Sequence, residues 1–235
     1  MSPVARSPAD ALARRILPRT VVTLSRIDAP AKLAARVRRA LGRPGRVELY
    51  FAFDDPCSAV AVVDLAERLA GYDVELLMRP VVGRGIPDDP AVELKRRYAL
   101  QDARRLARRS GRTLAREIPI GPDDLMFLAR WVATEDQPSP ALTAFCAAAA
   151  TRLWLTPDAG PIDHEEYAAL WRQAFGGAEP ALDDTDPVCR NERRMARRGP
   201  YDTPAAWIHG RWSFAHDRPA QLAAWLDELG WGSPR

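Results

Sequence analysis

A change of hydrophobic period, occurring twice in quick succession, narrows the possible folds of this chain more than anything else in it. Arg46 to Phe53 alternates and is rich in Val, Tyr and Phe, the pattern of a half-buried strand. Asp54-Asp55-Pro56 interrupts it at once, and Ala59 to Gly71 continues at helical spacing. Asp73 to Arg79 then reads as a second strand, stopped by Pro80. A strand, a helix and a strand this closely spaced form a βαβ unit, whose strands should lie parallel and buried.

Beyond this unit the chain is helical for a long way. Gly83 to Pro90 is a loop with two glycines and two prolines. Ala91 to Arg109 reads as a long helix closed by Ser110-Gly111, and shorter helices are expected at Pro122–Ala133, Pro140–Leu155, His164–Gly176 and Asp186–Arg198. After Pro200 the period returns to two. Ala205–Ile208 and Arg211–Phe214 flank His209-Gly210 as a β-hairpin, and Pro219–Leu229 is a last amphipathic helix. Upstream of the first strand, Ala11–Leu17 reads as a frayed helix and Ala31–Leu41 as a firmer one, between Pro30 and Gly42.

The order strand–helix–strand, helices, hairpin, helix defines an α/β chain of thioredoxin-like fold, with a helical subdomain inserted between the βαβ half and the C-terminal ββα half. The division expected is residues 1–45 as a helical N-terminal extension, 46–82 and 199–232 as the thioredoxin-like part, and 83–198 as the insertion.

Composition removes several classes of function. With 47% hydrophobic residues in 235, the chain can bury a sizeable core, yet no run approaches the roughly 18 apolar residues of a membrane span. The Arg- and Pro-punctuated Met1–Thr20 lacks the apolar centre of a secretory signal, so a cytoplasmic protein with no membrane partner is expected. Cys57, Cys146 and Cys189 form no Cys-x-x-Cys pair, and three scattered histidines do not suggest a metal centre, so neither a disulfide framework nor a metal site is expected. Arginine makes up 32 of the 34 basic residues, but 31 acidic residues are interleaved with them and the net charge is only +3. Arg104-Arg105, Arg108-Arg109, Arg193-Arg194 and Arg197-Arg198 therefore read as solvated helix faces, and no nucleic-acid partner is expected.

Five short stretches carry a resemblance that spans about residues 46–229. They are Leu49 to Pro56 (LYFAFDDP), Arg79-Pro80 with Gly83, the set Lys95, Tyr98, Asp102 and Arg105 on the long helix, Asp202-Thr203-Pro204 before the hairpin, and Phe214 to Arg218 (FAHDR) before the last helix. In this order they resemble the DsbA-like branch of the thioredoxin superfamily, and within it the 2-hydroxychromene-2-carboxylate isomerases and kappa-class glutathione transferases. The resemblance implies an isomerase or transferase that depends on glutathione, or on another low-molecular-weight thiol, and acts on a small aromatic acid.

Its site residues carry over one at a time. Relatives place a serine that contacts the glutathione sulfur at the position of Asp55; redox members place one cysteine there and a second at Ser58. Here Asp55 and Ser58 exclude two-thiol redox chemistry. Asp55, Cys57 and Ser58 sit at a helix start, where free N–H groups and the helix dipole favour an anion. A carboxylate there repels a thiolate, but it can act as a general base for isomerisation or simply cap the helix. Cys57 at such a position is a candidate nucleophile. Thr203-Pro204 resembles the cis-proline of the fold, which presents the backbone of the preceding residue to a peptide ligand. In relatives the residues at His216, Asp217 and Arg218 contact the γ-glutamyl group of glutathione, although Asp217 as a helix cap fits as well. Lys95, Tyr98 and Asp102 share one face of the long helix with Arg105 and are expected to close over the site, while Arg105 itself reads as part of a solvated, salt-bridged face. Arg79 ends the second strand and can pair with a substrate carboxylate. Trp207, Trp212 and Phe214 are read as core.

Two other readings stand beside this one: an oxidoreductase relative that uses Cys57 alone, and a non-catalytic binding protein that kept the groove. In the binding-protein reading residues 1–45 serve as a docking helix pair; a homodimer is a separate possibility.

Overall fold

The computed structural model describes residues 29–86, 88–157, 160–182 and 186–232. The expected helix Ala11–Leu17 lies outside them. Helix α1 (Ala29–Ala40) leads into β1 (Gly45–Phe51), α2 (Pro56–Leu69) and β2 (Val74–Pro80). Helix α3 (Val92–Arg109) comes next, then a 3-10 turn (Asp123–Leu125) that runs into α4 (Met126–Thr134). Helix α5 (Pro140–Ala150) continues as a π-helical turn over Thr151–Leu155, where the sequence pattern implies one unbroken helix. Helices α6 (His164–Phe175) and α7 (Pro187–Arg198), the hairpin β3 (Ala205–Ile208) and β4 (Arg211–Phe214), and α8 (Pro219–Leu229) complete the chain.

The strands form one sheet in the order β2-β1-β3-β4. β1 and β2 are parallel, with Tyr50 opposite Arg79, and β3 pairs antiparallel with both β1 and β4. Strand alternation sorts β1 cleanly. Val47, Leu49 and Phe51 point into the main core with α2, whereas Tyr50 packs on the opposite face with Val81, Met195 and Trp207. Pro80, expected to stop β2, is its last residue, which is where a strand tolerates a proline. Trp207, Trp212 and Phe214 are only half-buried, because the hairpin occupies the outer side of the sheet with β4 as its edge.

Helix α2 is the hub. Ten of its fourteen residues are buried, and it packs against α3, α5 and α8. Such all-round burial explains its Ala- and Val-rich sequence, since small side chains let several neighbours approach. The helical insertion shares this core. Trp154, fully buried in the π-helical turn, donates from Nε1 to the carbonyl of Phe53 at 2.8 Å and ties the insertion to the end of β1. On the other face α7 lies over the sheet, with Asn191 Nδ2 donating to Pro80 O at 3.1 Å. Gly199 ends α7 at φ +106°, and a side chain there would strike Trp212, so glycine is required on both counts. Among the described residues, no helix is long and apolar enough to cross a membrane.

Candidate functional site

The C-terminal end of β1 turns through Ala52–Asp54 into α2, with Asp55 as N-cap and Pro56 as the first helical residue. Asp55 is 7% exposed and its carboxylate is heavily engaged. Oδ1 accepts from Cys57 N–H at 3.0 Å. Oδ2 accepts from Ser58 N–H at 3.1 Å, Ser58 Oγ at 2.6 Å and Thr203 Oγ1 at 3.2 Å. The carboxylate thus fills the anion position that the helix start creates. Burial pushes its pKa above the ordinary value, while Arg84 and the bonds from Ser58 and Cys57 work in the other direction.

Around it the structure brings together Ser58, Thr203 and Pro204. Ser58 is fully buried, and its Oγ also accepts from Ala52 N–H at 3.2 Å. The Thr203–Pro204 peptide is cis, and Pro204 O accepts from Ala215 N–H at 2.8 Å. The Thr203 amide, expected to face a ligand, instead donates to Asp202 Oδ1 at 2.8 Å.

Cys57 is buried, with its Sγ 3.7 Å from Ala99 O of α3. Burial, followed by the carboxylates of Asp55, Asp102 and Asp202, drives its thiol pKa well up. A thiol in that setting stays protonated at neutral pH, the opposite of what a nucleophile needs.

Arg84, which no sequence motif singles out, completes this corner. It grips Asp54 with both ends of its guanidinium, each at 2.8 Å. Burial opposes its charge, but the pairing with Asp54, with Asp55 and Asp202 nearby, holds its pKa above the ordinary value. The signal that could have found it is the Asp54-Asp55 doublet: two buried carboxylates demand a cation.

Helix α3 packs against the corner through Ala99, and the Asp102 carboxylate acts on the Cys57 thiol, but the α3 side chains named from the sequence stand on the exposed side of the helix. Leu100, Ala103 and Ala107 form the buried stripe of α3, and at about 100° per residue Lys95, Tyr98, Asp102 and Arg105 fall on the opposite side. Tyr98 is 55% exposed, Lys95 pairs with Asp89, and Asp102 pairs with Arg105 at 2.9 Å in solvent. Arg79 is displaced as well. It lies on the α7 face of the sheet, bonded to Asp136 rather than open to a substrate.

His216, Asp217 and Arg218 lie at the start of α8, where the chain opens a cavity of about 420 Å³. Asp64, Arg68, Leu106, Arg109 and Ser110 form its other wall. Arg218, not Asp217, is the N-cap, and no side chain caps this helix; Pro219 carries no N–H and Gln221 N–H donates to Arg218 O at 3.1 Å, which leaves the Ala220 N–H open at its start. Asp217 and Arg218 stand 3.7 Å apart and largely exposed, while His216 Nδ1 is buried without a partner. Asp55 does not line this cavity. Among the described residues, no group of three or more His, Cys, Asp and Glu side chains is placed to hold a metal ion.

Sheet order, hub helix and inserted helices together define a DsbA-like thioredoxin fold, and solved structures offer parallels to it. The chain is similar to a 2-hydroxychromene-2-carboxylate isomerase at 17% identity and a TM-score of 0.57, over 78% of this chain and 95% of that one. It is also similar to a protein described as a probable DsbA oxidoreductase from Streptomyces coelicolor, at 17% identity and a TM-score of 0.53, over 81% of this chain and 92% of the other. Both neighbours are enzymes by name, and at this identity the likeness establishes the fold alone. No model of a known protein family matches the chain, and no curated protein matches it in sequence.

Proposed function

We propose that this protein binds a small zwitterionic thiol of the glutathione type and acts as an isomerase or transferase on a small aromatic acid. The observation that carries the reading is the cavity at the start of α8. The open Ala220 N–H at its uncapped helix start, among Arg68, Arg109 and Arg218, suits a carboxylate, and the Asp217 carboxylate beside it suits an amine. An α-amino acid terminus, such as the γ-glutamyl end of glutathione, carries both groups on one carbon. The isomerase neighbour supports the substrate class.

Bound glutathione would supply a nucleophilic sulfur. The chain supplies the proton acceptor: Asp55 Oδ1 accepts only one N–H bond and retains a lone pair, whereas Oδ2 accepts three bonds. A buried carboxyl with a raised pKa suits proton transfer near neutral pH. Cys57, held as a thiol, works against the reading in which it acts as a lone redox centre.

A second reading, a binding protein without chemistry, is favoured by one observation. The Asp55 carboxylate already fills the helix start where an activated sulfur would sit.

Calorimetric titration with glutathione, followed by turnover of 2-hydroxychromene-2-carboxylate, separates the two. The expected result is saturable binding, weakened about tenfold by Asp217→Ala, with turnover that disappears in Asp55→Ala while glutathione still binds. Binding without turnover in the unaltered protein selects the second reading. No binding at millimolar glutathione overturns both.

A further inference from the structure

On the opposite face of the sheet, arginines converge on a polar cavity of about 200 Å³ beneath α7. Its wall holds Arg46, Arg79, Arg194 and Arg198 against only two carboxylates, Glu48 and Asp136. Both carboxylates are already engaged. Glu48 accepts from Tyr50 OH at 2.6 Å and from Arg198 at 2.9 Å. Asp136 Oδ1 accepts from both Arg79 and Arg194, and its backbone carbonyl accepts from Arg79 at 3.0 Å. Arg46 leans on Glu75 just outside, but Glu75 is itself shared with Arg38. The cluster therefore keeps two guanidiniums in excess of its carboxylates.

The second observation is Arg79 itself. Its side chain is 4% exposed, and its Nε–H has no partner. A buried N–H donor left unpaired is destabilising unless something accepts from it. An excess of charge and an orphaned donor in one small polar cavity ask for the same thing, an oxygen-rich anion.

We propose that this cavity is a binding site for a small doubly charged oxyanion, inorganic phosphate or the phosphate of a monoester, separate from the cavity at the start of α8. A dianion neutralises the two excess charges, and arginine forks match its oxygens. At about 200 Å³ the cavity admits a phosphate group. Arg198 lies over the ring of Trp207 at 3.4 Å, so a ligand that draws on Arg198 alters the surroundings of that indole.

Titration with inorganic phosphate and with glycerol phosphate, against chloride at equal ionic strength, tests the assignment by calorimetry and tryptophan emission. We expect saturable binding, weakened about tenfold in Arg194→Gln and Arg79→Gln, and an emission change that vanishes in Trp207→Phe. Asp217→Ala should bind phosphate normally. Absence of saturable binding on the order of ten millimolar phosphate overturns the proposal, as does undiminished affinity in Arg194→Gln. An emission change that survives Trp207→Phe also overturns it. Arg194 sits at the cavity rim with its side chain 25% exposed, so Arg194→Gln decides the matter even if Arg79→Gln fails to fold.

Discussion

The Asp55 corner and the arginine cavity lie on one sheet and solve opposite problems. At the corner, one carboxylate meets four donors from Cys57, Ser58 and Thr203, and the neighbouring Asp54 has Arg84 to itself. Across the sheet, Asp136 is shared by Arg79 and Arg194, and Arg79 Nε goes without a partner. At the corner what stays open is an acceptor, Asp55 Oδ1, which suits a proton; across the sheet it is a donor, Arg79 Nε, which suits an anion. The difference lies in the count of donors against acceptors and in exposure, since Asp55 is 7% exposed whereas the Asp136 side chain is 37% exposed.

The largest effect is expected at the brace that holds the corner. Trp154→Ala removes a fully buried indole and its bond to Phe53 O, and should cost about 3–5 kcal/mol in urea unfolding. Asp55→Ala comes next. It orphans the N–H groups of Cys57 and Ser58 and should cost about 2 kcal/mol. Asp55→Ser retains a capping oxygen and should cost about 1 kcal/mol, while vacating the helix start and tightening glutathione binding. Arg194→Gln should shift stability by no more than about 0.5 kcal/mol, because its removal relieves crowding on Asp136. If Arg194→Gln costs as much as Asp55→Ala, the cavity is a closed ion network and the contrast fails.

The βαβ unit, the hairpin and the last helix are legible in the sequence because their periods switch sharply and prolines and glycines mark their ends. Asp55 as a cap is legible for the same local reason, since a cap depends on neighbours two and three residues away. Lys95, Tyr98 and Asp102 do share one face of their helix, as their spacing implies, but it is the outer face rather than the one expected. The apolar stripe of Leu100, Ala103 and Ala107, visible in the same sequence, points the other way. The true place of Arg79 is hidden because its partner Asp136 lies fifty-seven residues along the chain, a separation no local pattern spans. Arg194 and Arg198 look solvated because α7 is so polar. Its buried stripe of Val188, Asn191 and Met195 turns them toward the sheet.

The smallest expected difference is the response of the two carboxyls to acid. Burial alone would raise the Asp136 pKa, but Arg79, Arg194 and Arg190 outweigh it and hold it below the ordinary value of 3.8. A carboxyl lowered by folding stabilises fully above its unfolded value, and loses that contribution as pH falls through its folded value. The advantage of the unaltered protein over Asp136→Asn should therefore be constant near neutrality and close below about pH 4. Asp55 has the opposite sign. Burial raises it, so its ionisation works against folding, and that effect is absent in acid and sets in as pH rises through the folded value. The unaltered protein should thus gain on Asp55→Ser in acid while it loses on Asp136→Asn. Unfolding midpoints for the three proteins across pH 3 to 8 read both trends, and two curves of the same sign would mean that the corner and the cavity are electrostatically alike.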